Sequence, residues 1–252
     1  MADLSVRISS LVYHYPESTH GLEDFTLDVP CGETWGLIGP NGAGKSTLLL
    51  LLDGLLKPMS GDIEVFGQSM KQNGSVDSVR RRMGIVFQNA DDQVFCPTVF
   101  EDVVFGPLNH GLSNDEAHDL AHEALSKVGL DGYESRVPQH LSGGEKRRVA
   151  IATVLAMRPE LILYDEPTTG LDPKGREELI AILGQTDCTQ IIATHDFEMV
   201  LKVCDKVALL SKGCCVKTGT PEEILFDKEL LDAHDLVQPS WLPYLKGIRE
   251  AP

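Results

Sequence analysis

Two early stretches, residues 4–10 and 25–38, alternate apolar and polar side chains, and that period of two predicts strands. A Pro30-Cys31-Gly32-Glu33 turn divides the second stretch, leaving Thr34 to Ile38 as a short strand of its own. Tyr13 and Tyr15 are expected in the loop after the first strand. Leu48 to Leu56 is the most apolar run; it contains Asp53 and Gly54 and reads as a buried core helix, too short to span a bilayer. Asp62 to Phe66 predicts a strand and Ser75 to Arg82 a short helix, whose Arg80, Arg81 and Arg82 mark a solvated end. Gly84 to Phe87 is a short apolar strand that delivers Gln88. Ser113-x-x-Glu116 is a capping box that opens a helix to about Val128.

A second long helical pattern follows Leu141 to Glu145 and runs to Met157, where Arg158-Pro159 stops it. Leu161 to Tyr164 is a continuous apolar run, as expected of a strand buried on both faces of a parallel sheet. A helix near 174–184, a strand from Gln190 to Thr194, a helix over 196–204 and strands over 206–211 and 214–218 follow. Thr220-Pro221-Glu222-Glu223 joins an N1 proline to a capping box and starts the final helix. The tail from 236 has no assigned element. Strands alternating with helices predict an α/β protein with a parallel sheet.

One loop interrupts this pattern with chemistry. Gly39 to Thr47 reads GPNGAGKST and matches G-x-x-x-x-G-K-[ST], the Walker A phosphate-binding loop. Gly39, Gly42 and Gly44 let the backbone turn its N–H groups inward, with Pro40, Asn41 and Ala43 completing a nest for β- and γ-phosphates. Lys45 adds a point charge. Ser46 is placed to ligate Mg²⁺, and Thr47 continues a helix whose positive end faces the phosphates. Tyr15 is positioned to stack on adenine, whereas Tyr13 reads as a packing residue.

In a parallel α/β sheet, ligands sit at the carboxyl ends of the strands. Gln88, Asp165, Glu166 and His195 all follow predicted strands there. Asp165 suits Mg²⁺, directly or through a water, with Ser46 and Gln88 as further oxygen ligands, and Gln88 also suits a catalytic part, sensing Mg²⁺ or the attacking water from the opposite side. Glu166 suits orientation or deprotonation of an attacking water, and His195 a hydrogen bond to the γ-phosphate. The stretch LSGGE offers a second anion-binding device. Ser142 caps the next helix and leaves the Gly143 and Gly144 N–H groups at its positive end.

The net charge of −16 over 252 residues argues against nucleic acid as a partner, because phosphate neutralisation needs a basic surface. The six cysteines show no C-x-x-C spacing and, with no signal peptide expected, read as reduced cytosolic thiols. His118 and His122 have an i,i+4 spacing that can bind metal, among Asp115, Asp119 and Glu123, but a solvated helix face explains them more simply.

Taken together these motifs resemble the ATP-binding subunit of an ABC transporter, over about residues 4–225. GPNGAGKST resembles Walker A, Gln88 the Q-loop, LSGGE the signature, LILYDE Walker B, Gly170-Leu171-Asp172 the D-loop and His195 the switch histidine. Glu145 stands where Gln is commoner in the signature, and Gly170 where Ala is frequent. The resemblance implies a P-loop NTPase (RecA-like) core with a parallel sheet, an N-terminal antiparallel β subdomain and an inserted α-helical subdomain. It sets the core at 1–88 and 161–225, the helical subdomain at 89–160 and a C-terminal extension at 226–252. It further implies a homodimer or heterodimer of ATPase subunits that clamps ATP and Mg²⁺ head to tail, with Ser142, Gly143, Gly144 and Glu145 acting in trans and Asp172 crossing the interface. Integral membrane transport subunits would be the partners, at the cytoplasmic face of the cell (inner) membrane. The segment NADDQVFCPTVFEDVVFGPLNHGLS is similar to ATPases of energy-coupling-factor importers of the cobalt and nickel type. There Asp91, Asp92, Gln93 and the rings of Phe95, Phe100 and Phe105 are expected to dock a membrane helix or to pack the helical subdomain. ATPases of other ABC subfamilies, for vitamins, amino acids or lipids, and soluble ABC ATPases are the competing readings.

Overall fold

The computed structural model describes residues 3–16, 21–72 and 74–243. Strands β1 (Leu4–His14), β2 (Gly21–Pro30) and β3 (Thr34–Ile38) lead into helix α1 (Lys45–Leu52), then β4 (Ser60–Val65) and β5 (Gln68–Ser69). Next come α2 (Ser75–Arg80), β6 (Met83–Val86), α3 (Val99–Asn109), α4 (Asn114–Lys127), α5 (Gly143–Leu155), β7 (Leu161–Asp165), α6 (Pro173–Gly184) and β8 (Thr189–Ala193). The chain closes with α7 (Phe197–Val203), β9 (Lys206–Ser211), β10 (Cys214–Gly219), α8 (Pro221–Leu225) and α9 (Lys228–Ala233). It forms two compact units, Met1–Lys71 with Ala193–Pro252, and Gln72–Ile192.

The first unit contains an antiparallel sheet in the order β2-β1-β4-β5. Val6, Ile8, Leu11 and Tyr13 on β1 are buried, and the intervening registers with β2 and β4 carry bulges that keep this face inward. β1 runs further than the alternation suggested. Tyr13 pairs with Leu22 and is nearly buried, so it belongs to the strand and not to the following loop. Elsewhere in this unit β3 pairs in parallel with β9, Ile38 opposite Leu209, and β10 pairs antiparallel with β9. Thr220 does start a helix through a capping box, but α8 is not the last one. Asp227 caps α9, and Leu231, Leu236 and Leu242 pack with Ile38, Val207, Leu209, Ile224 and Leu225. Residues 228–242 therefore contribute to the core of the first unit.

The second unit pairs β6 with β7 in parallel, with β8 on the other side of β7. Arg82 joins the entries of β6 and β7 by a two-pronged ion pair to Glu160, at 2.6 and 2.7 Å. It is thus a structural tie and not one of three equally solvated arginines. Helices α3, α4 and α5 enter between β6 and β7 in sequence and pack on one another. Helix α5 also lies against β6 so closely that a Cβ on Gly84 would come 2.3 Å from Val154 Cγ1. Helix α3 was not legible in the pattern, because its apolar positions are crowded with Val and Phe and it contains Pro107. Its start is nevertheless sharp. Thr98 and Glu101 form a capping box, and the buried Asp102 carboxylate accepts from the Phe95 and Cys96 N–H groups at 3.0 and 2.9 Å.

Helix α5 has the same kind of start with an added partner. The Glu145 carboxylate accepts from Ser142 N–H and Ser142 Oγ–H, both at 2.8 Å, and from the Tyr133 hydroxyl at 2.7 Å. Tyr133 first, and then Ser142, hold the Glu145 carboxyl down at about 2. Among the described residues no helix is long and apolar enough to cross a membrane.

Two measurements check this packing. Leu231→Ala should cost about 2–5 kcal/mol in urea unfolding, the range for emptying a buried leucine site, whereas a loose tail would show almost no loss. Tyr133→Phe should raise the Glu145 carboxyl from about 2 toward its ordinary 4.5, read by carboxyl NMR titration. Because the folded value lies below the unfolded one, Glu145 stabilises the fold above pH 4.5 and loses that contribution as the pH falls toward 2. The variant should lose less over that window.

Candidate functional site

In the first unit the phosphate loop is set by close approaches that exclude side chains. A Cβ on Gly39 would fall 2.2 Å from Leu210 O, inside any van der Waals contact. Gly44 has φ 106°, and a Cβ there would meet Leu22 Cδ2 at 2.6 Å. The loop is pinned beneath by Gly213 N–H, which donates to Ala43 O at 3.1 Å, while Gly213 O accepts from Glu23 N–H at 2.9 Å. Lys45 is buried, and its Nζ donates to Gly39 O at 2.8 Å and Pro40 O at 3.2 Å. Its ammonium thus lies at the centre of its own loop. Ser46, Asn41 and Gly42 are exposed, and Thr47 is buried. Tyr15 leaves β1 to sit with its hydroxyl 3.4 Å from Thr47 Oγ1, its ring held edge-on by Tyr13 at 5.1 Å. Thr194 N–H donates to Leu37 O at 3.0 Å, so exposed His195 follows directly beside the end of β3. This unit therefore gathers Tyr15, Lys45, Ser46 and His195 around the exit of one strand.

The second unit gathers the remaining candidates at the exits of β6 and β7. Val86 pairs with Tyr164, so Gln88 and Glu166 stand at the same level beyond neighbouring parallel strands. Gln88 is exposed and Asp165, the last residue of β7, is partly buried. Glu166 is buried and takes a left-handed backbone, φ 47°, at an expense of about 1–3 kcal/mol for a non-glycine residue. The Thr169 N–H donates to Glu166 O at 3.2 Å, and the Thr169 hydroxyl donates to Glu166 Oε2 at 3.4 Å. Asp172 is exposed; its carboxylate caps α6 by accepting from Gly175 N–H at 2.8 Å. Ser142 and Gly143 are exposed at the start of α5, and Gly144 and Glu145 are half-buried. The first N–H groups of that helix have no acceptor within the helix itself, which suits an anion.

Several residues of this unit play parts the sequence did not suggest. Gln93 does not face outward with Asp91 and Asp92. Its Nε2 donates to Ala150 O at 3.0 Å and Thr153 Oγ1 at 3.1 Å, and its Oε1 accepts from Phe87 N–H at 3.2 Å. Asp91 pairs with Lys146 at 2.6 Å. Arg147 is buried and donates to the carbonyls of Phe87 and Gln88. One signal for Arg147 was available. It shares the buried face of α5 with Ala150, Ile151 and Val154. Phe95 and Phe105 are 63% and 48% exposed and meet edge to face at 5.3 Å, whereas Phe100 packs on the rings of His118 and His122 at 5.0 and 5.1 Å. Among the described residues no group of three or more His, Cys, Asp or Glu could hold a metal ion by itself. The Ser46 hydroxyl in the first unit, and the Gln88 amide and Asp165 carboxylate oxygens in the second, are each a hard donor of the kind Mg²⁺ takes.

Comparison with known proteins gives a consistent result. Residues 22–169 match the ABC transporter family. The energy-coupling factor transporter ATP-binding protein EcfA of Methanothermobacter thermautotrophicus is 45% identical over 250 residues, 98% of this chain and 80% of that protein. The structure of cbiO1 from Clostridium perfringens, described as part of the ABC transporter complex cbiONQ, matches with a TM-score of 0.82 and 35% identity over 99% of this chain and 100% of that one. The ATP-binding cassette MJ0796, solved as a dimer in a post-hydrolysis state bound to ADP and Pi, matches with a TM-score of 0.76 and 27% identity over 86% of this chain and 98% of that one. The chain belongs to the ABC transporter family, as an ATPase of the energy-coupling-factor type.

Proposed function

We propose that this ATPase drives a membrane importer of the energy-coupling-factor type, with cobalt or nickel ions as the cargo. The observation that carries the hydrolytic assignment is the level placement of Gln88 and Glu166 beyond β6 and β7, with Glu166 held in a strained left-handed backbone. The cargo assignment is supported by the segment after Gln88, which resembles the cobalt and nickel type, and by the likeness to cbiO1. ATPases for vitamins, amino acids or lipids remain the competing subfamilies.

The residues take the following roles. Gly39 to Gly44 turn their N–H groups onto the β- and γ-phosphates, and Lys45 leaves its loop carbonyls to meet the γ-phosphate. Tyr15 stacks on adenine beside Thr47. Ser46, Asp165 and Gln88 would hold Mg²⁺, which would supply charge neutralisation to the phosphates. Glu166 accepts a hydrogen bond from the attacking water and orients it, while His195 donates to a γ-phosphate oxygen. Ser142, Gly143, Gly144 and Glu145 act on the nucleotide of a second ATPase subunit, identical or homologous, and Asp172 lies at that interface. Segment 89–160 is the helical signature subdomain. The Phe95–Phe105 pair, exposed and in edge-to-face contact, is with Asp92 the proposed seat for an integral membrane subunit, and the chain would then sit peripherally at the cytoplasmic face.

Glu166→Gln removes the acceptor of the water proton but keeps the side-chain shape. It should retain ATP binding, lower turnover by about a hundredfold or more, and trap a dimer visible by gel filtration with ATP. Turnover near that of the wild type would remove Glu166 from its role. Phe95→Ser with Phe105→Ser should abolish co-purification with the membrane subunits while leaving the thermal midpoint close to the parent. Vesicles reconstituted with those subunits should take up ⁵⁷Co²⁺ or ⁶³Ni²⁺ only with ATP; uptake of a vitamin in their place would overturn the cargo assignment.

A further inference from the structure

Helix α5 begins with the signature residues Ser142 to Gly144 and carries Arg147 one turn later. Arg147 is only 6% exposed. Its Nη1 donates to Phe87 O at 2.7 Å and its Nη2 to Gln88 O, the two carbonyls that leave β6. A planar guanidinium spans adjacent carbonyls in a way that the single ammonium of lysine does not. The same residue carries clear penalties. Burial disfavours its charge, which the nearby Asp165 carboxylate partly offsets, and its Nε is buried without a hydrogen-bond partner. An apolar side chain of similar volume would fill this place without those penalties. An apolar residue would, however, leave the Phe87 and Gln88 carbonyls without these donors, so what the arginine adds over mere filling is a directed hold on that stretch of main chain.

The neighbouring ties act in the same direction. Lys146 holds Asp91 at 2.6 Å, and Gln93 bridges Phe87 N–H to Ala150 O and Thr153 Oγ1. Loop residues 87–93 are thus bonded along one side of α5 at both their ends and their middle.

We propose that Arg147 is a positioning residue for Gln88. It fixes the Phe87–Gln88 main chain to the signature helix, so Gln88 and the Ser142–Gly144 helix start shift as one body. The inference rests on the reading of Gln88 as an oxygen ligand of the nucleotide's Mg²⁺. Its consequence is specific. Whatever moves the start of α5, including engagement of a second subunit's nucleotide, relocates Gln88 directly and without help from a membrane partner.

The test compares ATP turnover, ATP KM and thermal midpoint for the wild type, Arg147→Met, Arg147→Lys, Gln88→Ala and the Arg147→Met/Gln88→Ala double variant. Amide hydrogen exchange is followed in parallel at residues 86–90 and 149–154. Arg147→Met should lower kcat about tenfold with KM unchanged within about twofold. Lysine should restore part of the loss. In the Gln88→Ala background the arginine substitution should add less than about a twofold further loss. Exchange should quicken at 86–90 and stay slow at 149–154. Losses that multiply in the double variant, or loosening of α5 as a whole, would make Arg147 merely structural and overturn the proposal. Full turnover by Gln88→Ala would instead strike the reading of Gln88. Exchange at 86–90 in Arg147→Met then decides the clamp alone, and unchanged exchange there refutes it. If Arg147→Met does not fold, Arg147→Lys carries the same comparison.

Discussion

The phosphate loop depends on how closely β3 can leave the sheet beside β9. Gly39 passes Leu210 O at a distance where a methyl group would overlap the carbonyl, and Gly44 turns through a left-handed conformation against Leu22. Only a backbone without side chains can be folded that tightly, and tightness is what aims successive N–H groups into one concavity. The rest of the first unit supports this turn. Gly213 ties the loop to the β9–β10 hairpin, α1 supplies the positive helix end, and α9 with the following leucines fills the space behind β3 and β9. The rigidity of that backing allows a charged Lys45 to be buried among its own carbonyls without opening the loop.

Much of this was written in the sequence, for identifiable reasons. Strands at the loop exits were legible because short apolar runs ended at polar residues, as at Leu161–Asp165 and Thr189–Ala193. Helix α5 was legible because a long helical pattern follows a Ser142 cap, and α4 and α8 because their starts carry capping boxes. Helix α3 has one too, Thr98 with Glu101, but Val and Phe next to Pro107 hid it. Interactions that needed a third dimension were not legible. Nothing local shows that Gln93 turns inward, that Arg82 reaches Glu160, or that α9 and Leu242 are core. Tyr13 fell on the wrong side of a strand end because β1 continues through bulges that break simple alternation.

The second unit shows a different use of polar groups from the first. Its helix α5 is short on apolar residues near its start and compensates with directed bonds, from Tyr133 and Ser142 to Glu145 and from Lys146 and Arg147 to the loop after β6. Part-buried and exposed polar links of this kind contribute little net stability, but they define one arrangement among many that apolar packing would tolerate. On the proposed reading, in which the Gln88 amide and the Glu166 carboxylate serve one nucleotide, that definition is what the site needs. Glu166 makes the same point through its backbone. A glycine would accept φ 47° without strain, and the proposed role of the carboxylate accounts for a glutamate there.

The reciprocal caps at Thr98–Glu101, Ser113–Glu116 and Ser142–Glu145 also bear on how the protein is made. Each start signal is complete within four consecutive residues, so it acts as soon as that short word clears the ribosome exit tunnel. Helices α3 to α5 thus carry a local bias toward their correct first turns before β7 and β8 are translated, while their stability still comes from later packing. The nascent chain then meets its slow, long-range strand pairing with the helical segment already punctuated, which shortens the period in which Val- and Phe-rich stretches lie open to aggregation.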